Sequence, residues 1–284
     1  MSQTTIIRDL NYTDFEYQGY YKSPQLLTAH KKMWASVTGQ EFWYSSAGRR
    51  VKGFMFQPKN PGKYPVIIYN RGGSKEFGKL EFRQLFLIMA RFAAWGFVVL
   101  GTQYSGNDGS EGRDELGGMD LDDVLNLKDT LPDLTASADL EDIHILGFSR
   151  GGLMTYLALT KVNWIRTAHI FSGTTDLIAS YANRPELKDF RRDMYDVDSQ
   201  EENRRRSPLF SVEKMNKNTK IYLHHGTKDN RVKVTQLYRI LPELTKYNLY
   251  FEASIYPADH SLAPFTLDIY KKTKARILNS SNHF

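Results

Sequence analysis

At 284 residues, with 41% hydrophobic and 13% aromatic content, the chain has ample apolar material for one large, decorated α/β domain and lacks the signature of disorder. Its 38 basic and 32 acidic residues leave a formal net charge of +6, scattered except at Arg204, Arg205 and Arg206, a run that reads as a solvated face. No interleaving of aromatic and basic residues marks a nucleic-acid track. Cysteine is absent, which excludes disulfides, thiolate metal sites and a thiol nucleophile. No apolar stretch approaches bilayer length and Met1 to Leu10 has no basic segment followed by an apolar run, so a soluble, cytoplasmic protein with no membrane partner is expected.

Residues 1–40 open with the aromatic lead NYTDFEYQGYY, followed by a helix predicted from Pro24 to Val37 with Ser23 as N-cap. They read as an appendage braced against the main body, with a dimer contact as the alternative role. Glu41 to Tyr44 and Val51 to Gln57 predict an antiparallel hairpin at a sheet edge. Beyond it, apolar runs suited to strands buried on both faces recur at Val66 to Tyr69, Phe97 to Leu100, Ile143 to Gly147, Ala168 to Phe171, Ile221 to His224 and Phe251 to Tyr256. Helical patterns separate them at Leu80 to Trp95, Asp120 to Leu131, Gly152 to Val162, Val232 to Tyr247 and Pro264 to Ile277. The alternation predicts a mainly parallel central sheet with helices on both faces over residues 41–284. A long polar stretch, 176–208, interrupts the rhythm and predicts a small helical insertion forming a lid or substrate wall.

Gly147-Phe148-Ser149-Arg150-Gly151 follows a predicted strand and opens a predicted helix. That context turns a G-x-S-x-G pattern into a nucleophile elbow of the α/β-hydrolase kind, in which glycines permit a tight turn under the serine. The helix N-terminus favours developing negative charge, and the Arg150 backbone N–H becomes the first oxyanion donor. A serine hydroxyl needs a histidine base oriented by a carboxylate, and in this fold the order is Ser, acid, His. Asp229 and His260 each follow a predicted strand on the same sheet edge, which makes them the acid and the base.

Other histidines have structural readings: His144 and His169 lie in strands, His30 in the N-terminal helix and His283 at the terminus, while His224 and His225 support the acid loop. Asp259 is the rival acid, but an adjacent residue rarely turns its carboxylate onto its neighbour's ring.

Taken together, GFSRGG, QYSGNDGSE (103–111), Gly117-Gly118-Met119-Asp120 with Asp123, Ser207-Pro208, HGTKDNRV (225–232) and SIYPADHSL (254–262) resemble the catalytic domain of the prolyl oligopeptidase family of serine peptidases, from about Phe42 onward. The resemblance implies Ser149 as nucleophile, Asp229 as orienting acid and His260 as general base and acid, with neither metal nor organic cofactor. Family oligopeptidases carry an N-terminal β-propeller that gates the site; about forty residues stand there in this sequence. Family peptidases also often place an oxyanion tyrosine after the strand corresponding to Val66 to Asn70, where this sequence has Arg71-Gly72-Gly73. The second donor is then the Gly72 amide, favoured because paired glycines allow close approach, or the Arg71 guanidinium, unless Arg71 is an ion-pair partner. Expected substrates are small esters or short peptides. The alternatives are an acyltransferase or thioesterase, or a non-catalytic binding module.

Overall fold

The computed structural model describes residues 4–16, 18–20 and 23–281; Tyr17 and Tyr21 of the aromatic lead, Lys22, residues 1–3 and residues 282–284 with His283 lie outside the described residues. Among the described residues, nine strands form one sheet: β1 (Thr5–Asp9), β2 (Val37–Ser46), β3 (Arg49–Pro58), β4 (Tyr64–Asn70), β5 (Val98–Thr102), β6 (Ala138–Phe148), β7 (Ile165–Phe171), β8 (Lys220–Gly226) and β9 (Phe251–Tyr256). Their order is β1-β2-β3-β5-β4-β6-β7-β8-β9. The six strands from β4 to β9 are mutually parallel, and β1, β2 and β3 extend the sheet in antiparallel fashion.

Alternation within the strands divides the core. Val66 and Ile68 of β4 pack on one face with Leu153, Leu157, Leu237 and Ile240, whereas Ile67 and Tyr69 pack on the other with Phe82, Phe86 and Ile269. Helices therefore cover both faces, which is why these strands read as continuous apolar runs. Chain direction across the sheet reverses at β4, whose neighbours are β5 on one side and β6 on the other. Open parallel sheets place their ligand crevice outside the strand C-termini at such a switch point.

Three expectations differ in detail. The β2–β3 hairpin is not the sheet edge, because β1 pairs outside β2, Thr5 opposite Trp43. All five residues of β1 are exposed, so no buried alternation announced it. The helix at Leu80 to Trp95 is divided into Phe82–Gln84, a wide π turn over Leu85–Met89, and Ala90–Ala94. The π turn leaves the Phe86 carbonyl open to the Trp34 indole N–H at 2.9 Å, which ties helix Pro24–Ala35 to the body. The helix at Asp120 to Leu131 breaks at Asn126 into Leu121–Leu125 and Leu127–Leu134.

Between β7 and β8 the chain forms three short helices, Leu177–Asn183, Glu186–Arg191 and Gln200–Arg205. Among the described residues no helix is long and apolar enough to cross a membrane.

Candidate active site

Ser149 joins β6 to helix Arg150–Leu159 with φ +57° and ψ −115°, a left-handed conformation that costs an L-residue free energy. The turn is held open at both ends. The Ser149 N–H donates to the Phe171 carbonyl at the end of β7 (2.9 Å), and its carbonyl accepts from the N–H groups of Gly152 and Thr174. A Cβ on Gly147 would overlap the Gly151 carbonyl and the Thr155 hydroxyl; one on Gly151 would overlap the Asn70 carbonyl. A Cβ on Gly152 would approach Gly173 Cα to 2.6 Å. The glycines are thus demanded by close backbone approach between the elbow, β4 and the β7 loop, as well as by the turn.

Asp229 and His260 meet Ser149 at the strand ends. His260 Nε2 lies 3.0 Å from Ser149 Oγ, and His260 Nδ1 lies 2.7 Å from Asp229 Oδ2. The carboxylate fixes the proton on Nδ1, leaving Nε2 as acceptor toward the serine. Asp229 Oδ1 is immobilised by the backbone N–H groups of Arg231 and Val232, both at 2.8 Å. Burial pushes the Asp229 carboxyl up, but its hydrogen bonds to His225, His260 and the Val232 amide outweigh this and hold it well below the usual carboxylate range. His225 also contacts the Val232 carbonyl at 2.8 Å, so it braces the acid loop. Asp259 is turned away onto the amide and hydroxyl of Ser261.

Gly72 packs against the elbow: a Cβ there would stand 3.4 Å from Ser149 Cβ. The amides of Gly72 and Arg150 reach no protein acceptor among the described residues, so both remain able to donate. Arg71 is arranged differently from either expectation. Its fully buried guanidinium donates to the carbonyls of Gln103, Gly72, Lys75 and Phe77 and packs over the Tyr104 ring at 4.9 Å. It makes no ion pair among the described residues, and its donors are already committed to backbone carbonyls, that of the buried Gln103 among them. Burial, with the Arg150 guanidinium nearby, pushes Arg71 down to about 10.

The side chain of Arg150 carries a network that motif reading missed. It donates to both oxygens of Asp114 (2.6 and 2.7 Å), to Asp120 (2.6 Å) and to the Gly73 carbonyl (3.1 Å), and packs 4.6 Å from the Tyr104 ring centre. Asp120 in turn accepts from the Gly117 N–H at 2.9 Å, which explains the G-G-M-D segment. Burial, against the pull of Arg150 and with Asp114 adding to it, pushes Asp120 up to about 6; Asp114 is also buried but lies below its ordinary value because Arg150 dominates. The signal available in the sequence was an arginine inside the elbow together with the acid-rich loop RDELGGMD.

A cavity of about 320 Å³ opens over Ser149 and His260. The loop after β4 lines one side through Gly73 and Phe77, and the inserted helices line the other through Ser180, Arg184, Leu187, Phe190 and Arg191.

The family model described as the prolyl oligopeptidase family matches residues 81–275. A Bacillus subtilis (strain 168) protein named uncharacterized peptidase YtmA is 31% identical over 205 residues, covering 71% of this chain and 77% of that one. Among solved structures, an acylaminoacyl peptidase from Pyrococcus horikoshii superposes with a TM-score of 0.73 at 23% identity, covering 85% of this chain. This chain spans only 41% of that protein's length. An acetyl xylan esterase from Paenibacillus sp. R4 superposes with a TM-score of 0.67 at 15% identity, over 97% of this chain and 88% of its own. At these identities the two structures establish the shared fold, while the family match and the Bacillus relative establish kinship: the chain belongs to the prolyl oligopeptidase family of serine hydrolases and carries the α/β-hydrolase fold.

Proposed function

We propose that the protein hydrolyses small esters or short peptide-like amides through an acyl-enzyme on Ser149. The carrying observation is the unbroken relay from Ser149 Oγ to His260 Nε2 at 3.0 Å and from His260 Nδ1 to Asp229 at 2.7 Å. As Ser149 Oγ attacks the carbonyl carbon, His260 Nε2 takes its proton and the Asp229 carboxylate stabilises the resulting imidazolium. The tetrahedral oxyanion accepts from the amides of Arg150 and Gly72, which are fixed before the reaction begins. His260 then protonates the departing alcohol or amine, leaving the acyl group on Ser149. Water attacks that ester, its proton passing to Nε2 and then to Ser149 Oγ as the acid departs. The helices between residues 176 and 208 serve as the substrate wall, a role supported by their share of the cavity lining.

The test is fluorophosphonate labelling of wild type, Ser149→Ala and His260→Ala, with mapping of the modified residue. Label on Ser149 that vanishes in the first variant and falls sharply in the second supports the reading. Folded wild-type protein that takes no label refutes it. Parallel assays on p-nitrophenyl esters and aminoacyl amides then divide esterase from peptidase activity.

A further inference from the structure

Arg191 closes the helix Glu186–Arg191 and lines the cavity over Ser149. Its Nε and Nη1 atoms are buried, yet among the described residues neither has a hydrogen-bond partner. Its guanidinium carbon lies over the Tyr181 ring, 5.8 Å from the ring centre. A guanidinium presents a planar fork of donors, and buried donors left unpaired cost free energy unless something else supplies the acceptors.

The other cavity-lining arginines clarify what is missing at this one. Arg150 is neutralised by Asp114 and Asp120, and Arg184 pairs with Glu186 at 2.9 Å. Arg191 has no carboxylate within ion-pair distance among the described residues, whereas its neighbour Arg192 has two, Asp189 and Asp198. Arg231 adds a fourth arginine to the rim, likewise without an ion pair among the described residues, and no aspartate or glutamate is among the described lining residues. A chamber of about 320 Å³ with a reactive serine on one wall and an uncompensated cation on the other suits a small anionic molecule.

Resting on the serine-hydrolase reading above, we propose that Arg191 determines specificity by pairing with a carboxylate on the substrate. The end of the guanidinium, where Nη1 and Nη2 donate in the same direction, matches a carboxylate through two parallel N–H···O bonds. The carboxylate has two sources, the far end of a dicarboxylic acyl group or the C-terminus of a peptide leaving group. Arg191 is a binding residue here and takes no part in bond breaking.

Two matched pairs separate the sources: p-nitrophenyl hydrogen glutarate against p-nitrophenyl pentanoate, and Ala-Gly against Ala-Gly amide. In wild type the anionic member of one pair is favoured at least about tenfold in kcat/KM, the scale expected of a charge-assisted bond. Arg191→Gln removes that preference, and Arg191→Lys, which keeps the charge without the fork, retains part of it. Equal rates within both pairs, or a preference that survives Arg191→Gln, overturns the proposal. Calorimetric titration of glutarate and of Ala-Gly onto folded Ser149→Ala needs no turnover. Binding there that Arg191→Gln abolishes sustains the anion site even if fluorophosphonate labelling fails, while absence of binding by both ligands removes it even if labelling succeeds.

Discussion

Arg150 grips both carboxylate oxygens of Asp114 at 2.6 and 2.7 Å, so the residue next to Ser149 is bolted to the loop that follows β5. This pairing holds the Arg150 backbone amide in place beneath the nucleophile. Arg150→Met leaves Asp114 and Asp120 buried without a counter-charge, and truncating one partner of such a cluster costs about 3 to 5 kcal/mol. Urea unfolding should register a loss of that order, and hydrolysis of a neutral ester should fall with it. A variant within about 1 kcal/mol of wild type, the usual cost of an unremarkable substitution, contradicts the assignment.

The positive φ of Ser149 predicts a trade between stability and chemistry. Ser149→Gly should abolish turnover yet raise stability by about 1 kcal/mol, since a strained backbone costs about 1 to 3 kcal/mol and glycine gives some of that back in chain entropy. The comparison to make is the urea midpoint of this variant beside Ser149→Ala, which keeps the Cβ and so keeps the strain. Equal midpoints for the two variants argue against strain at the elbow.

Asp229→Asn should lower kcat by about 10⁴-fold, because an amide no longer imposes the Nδ1–H tautomer on His260. A pH signature accompanies it. The folded Asp229 carboxyl titrates below its unfolded value of about 3.9, so its contribution to stability is present above that pH and is lost as pH falls below it. The stability gap between wild type and Asp229→Asn should therefore narrow from pH 5 to pH 3. A gap that stays constant excludes a depressed Asp229.

Three histidines outside the site set the acid limit of the fold. Burial lowers His144 and holds His169 well below its usual value, and burial with Arg276 nearby lowers His224 to about 3. His169 and His224 stay neutral in the fold as pH falls, His144 is shifted the same way against the opposing pull of Asp142, and all three bind a proton in the unfolded chain below about pH 6.5. Stability should thus fall as pH drops from 6.5 toward 4, with each histidine contributing up to about 1.4 kcal/mol per pH unit. Urea midpoints across this range should show a shallower slope for His169→Leu than for wild type; parallel slopes count against the buried neutral ring.

The elements whose residues are buried on both faces were legible in the chain. The runs VIIY, IHIL and IYLH read as parallel strands because side chains are predominantly apolar where both faces are covered, His144 and His224 being the buried polar exceptions in these runs. Ser149 and Asp229 were legible because each follows such a strand and His260 because it follows the half-buried edge strand β9, and strand direction alone brings those turns to one edge. β1 was not, since a five-residue exposed strand gains its place from pairing with β2 and carries no burial pattern of its own. The π turn at Leu85–Met89 carries a carbonyl bonded to Trp34, about fifty residues away in the chain, a contact that local pattern does not contain.

Side-chain direction was the other thing local pattern did not contain. Sequence alone left Arg71 as either an alternative oxyanion donor to the favoured Gly72 amide or an ion-pair partner, and assigned no partner to the Arg150 guanidinium. Folding turned Arg71 onto the carbonyls of Gln103 and Lys75, buried Arg150 between Asp114 and Asp120, and left Arg191 Nε and Nη1 without a hydrogen-bond partner among the described residues. The sequence by itself determined the α/β alternation and the order in which Ser149, Asp229 and His260 reach one sheet edge, because buried strands and tight turns restrict which residue types fit. The tertiary structure alone decided which charges are neutralised and which face the cavity, because a long cationic side chain takes its direction from acceptors that other segments supply.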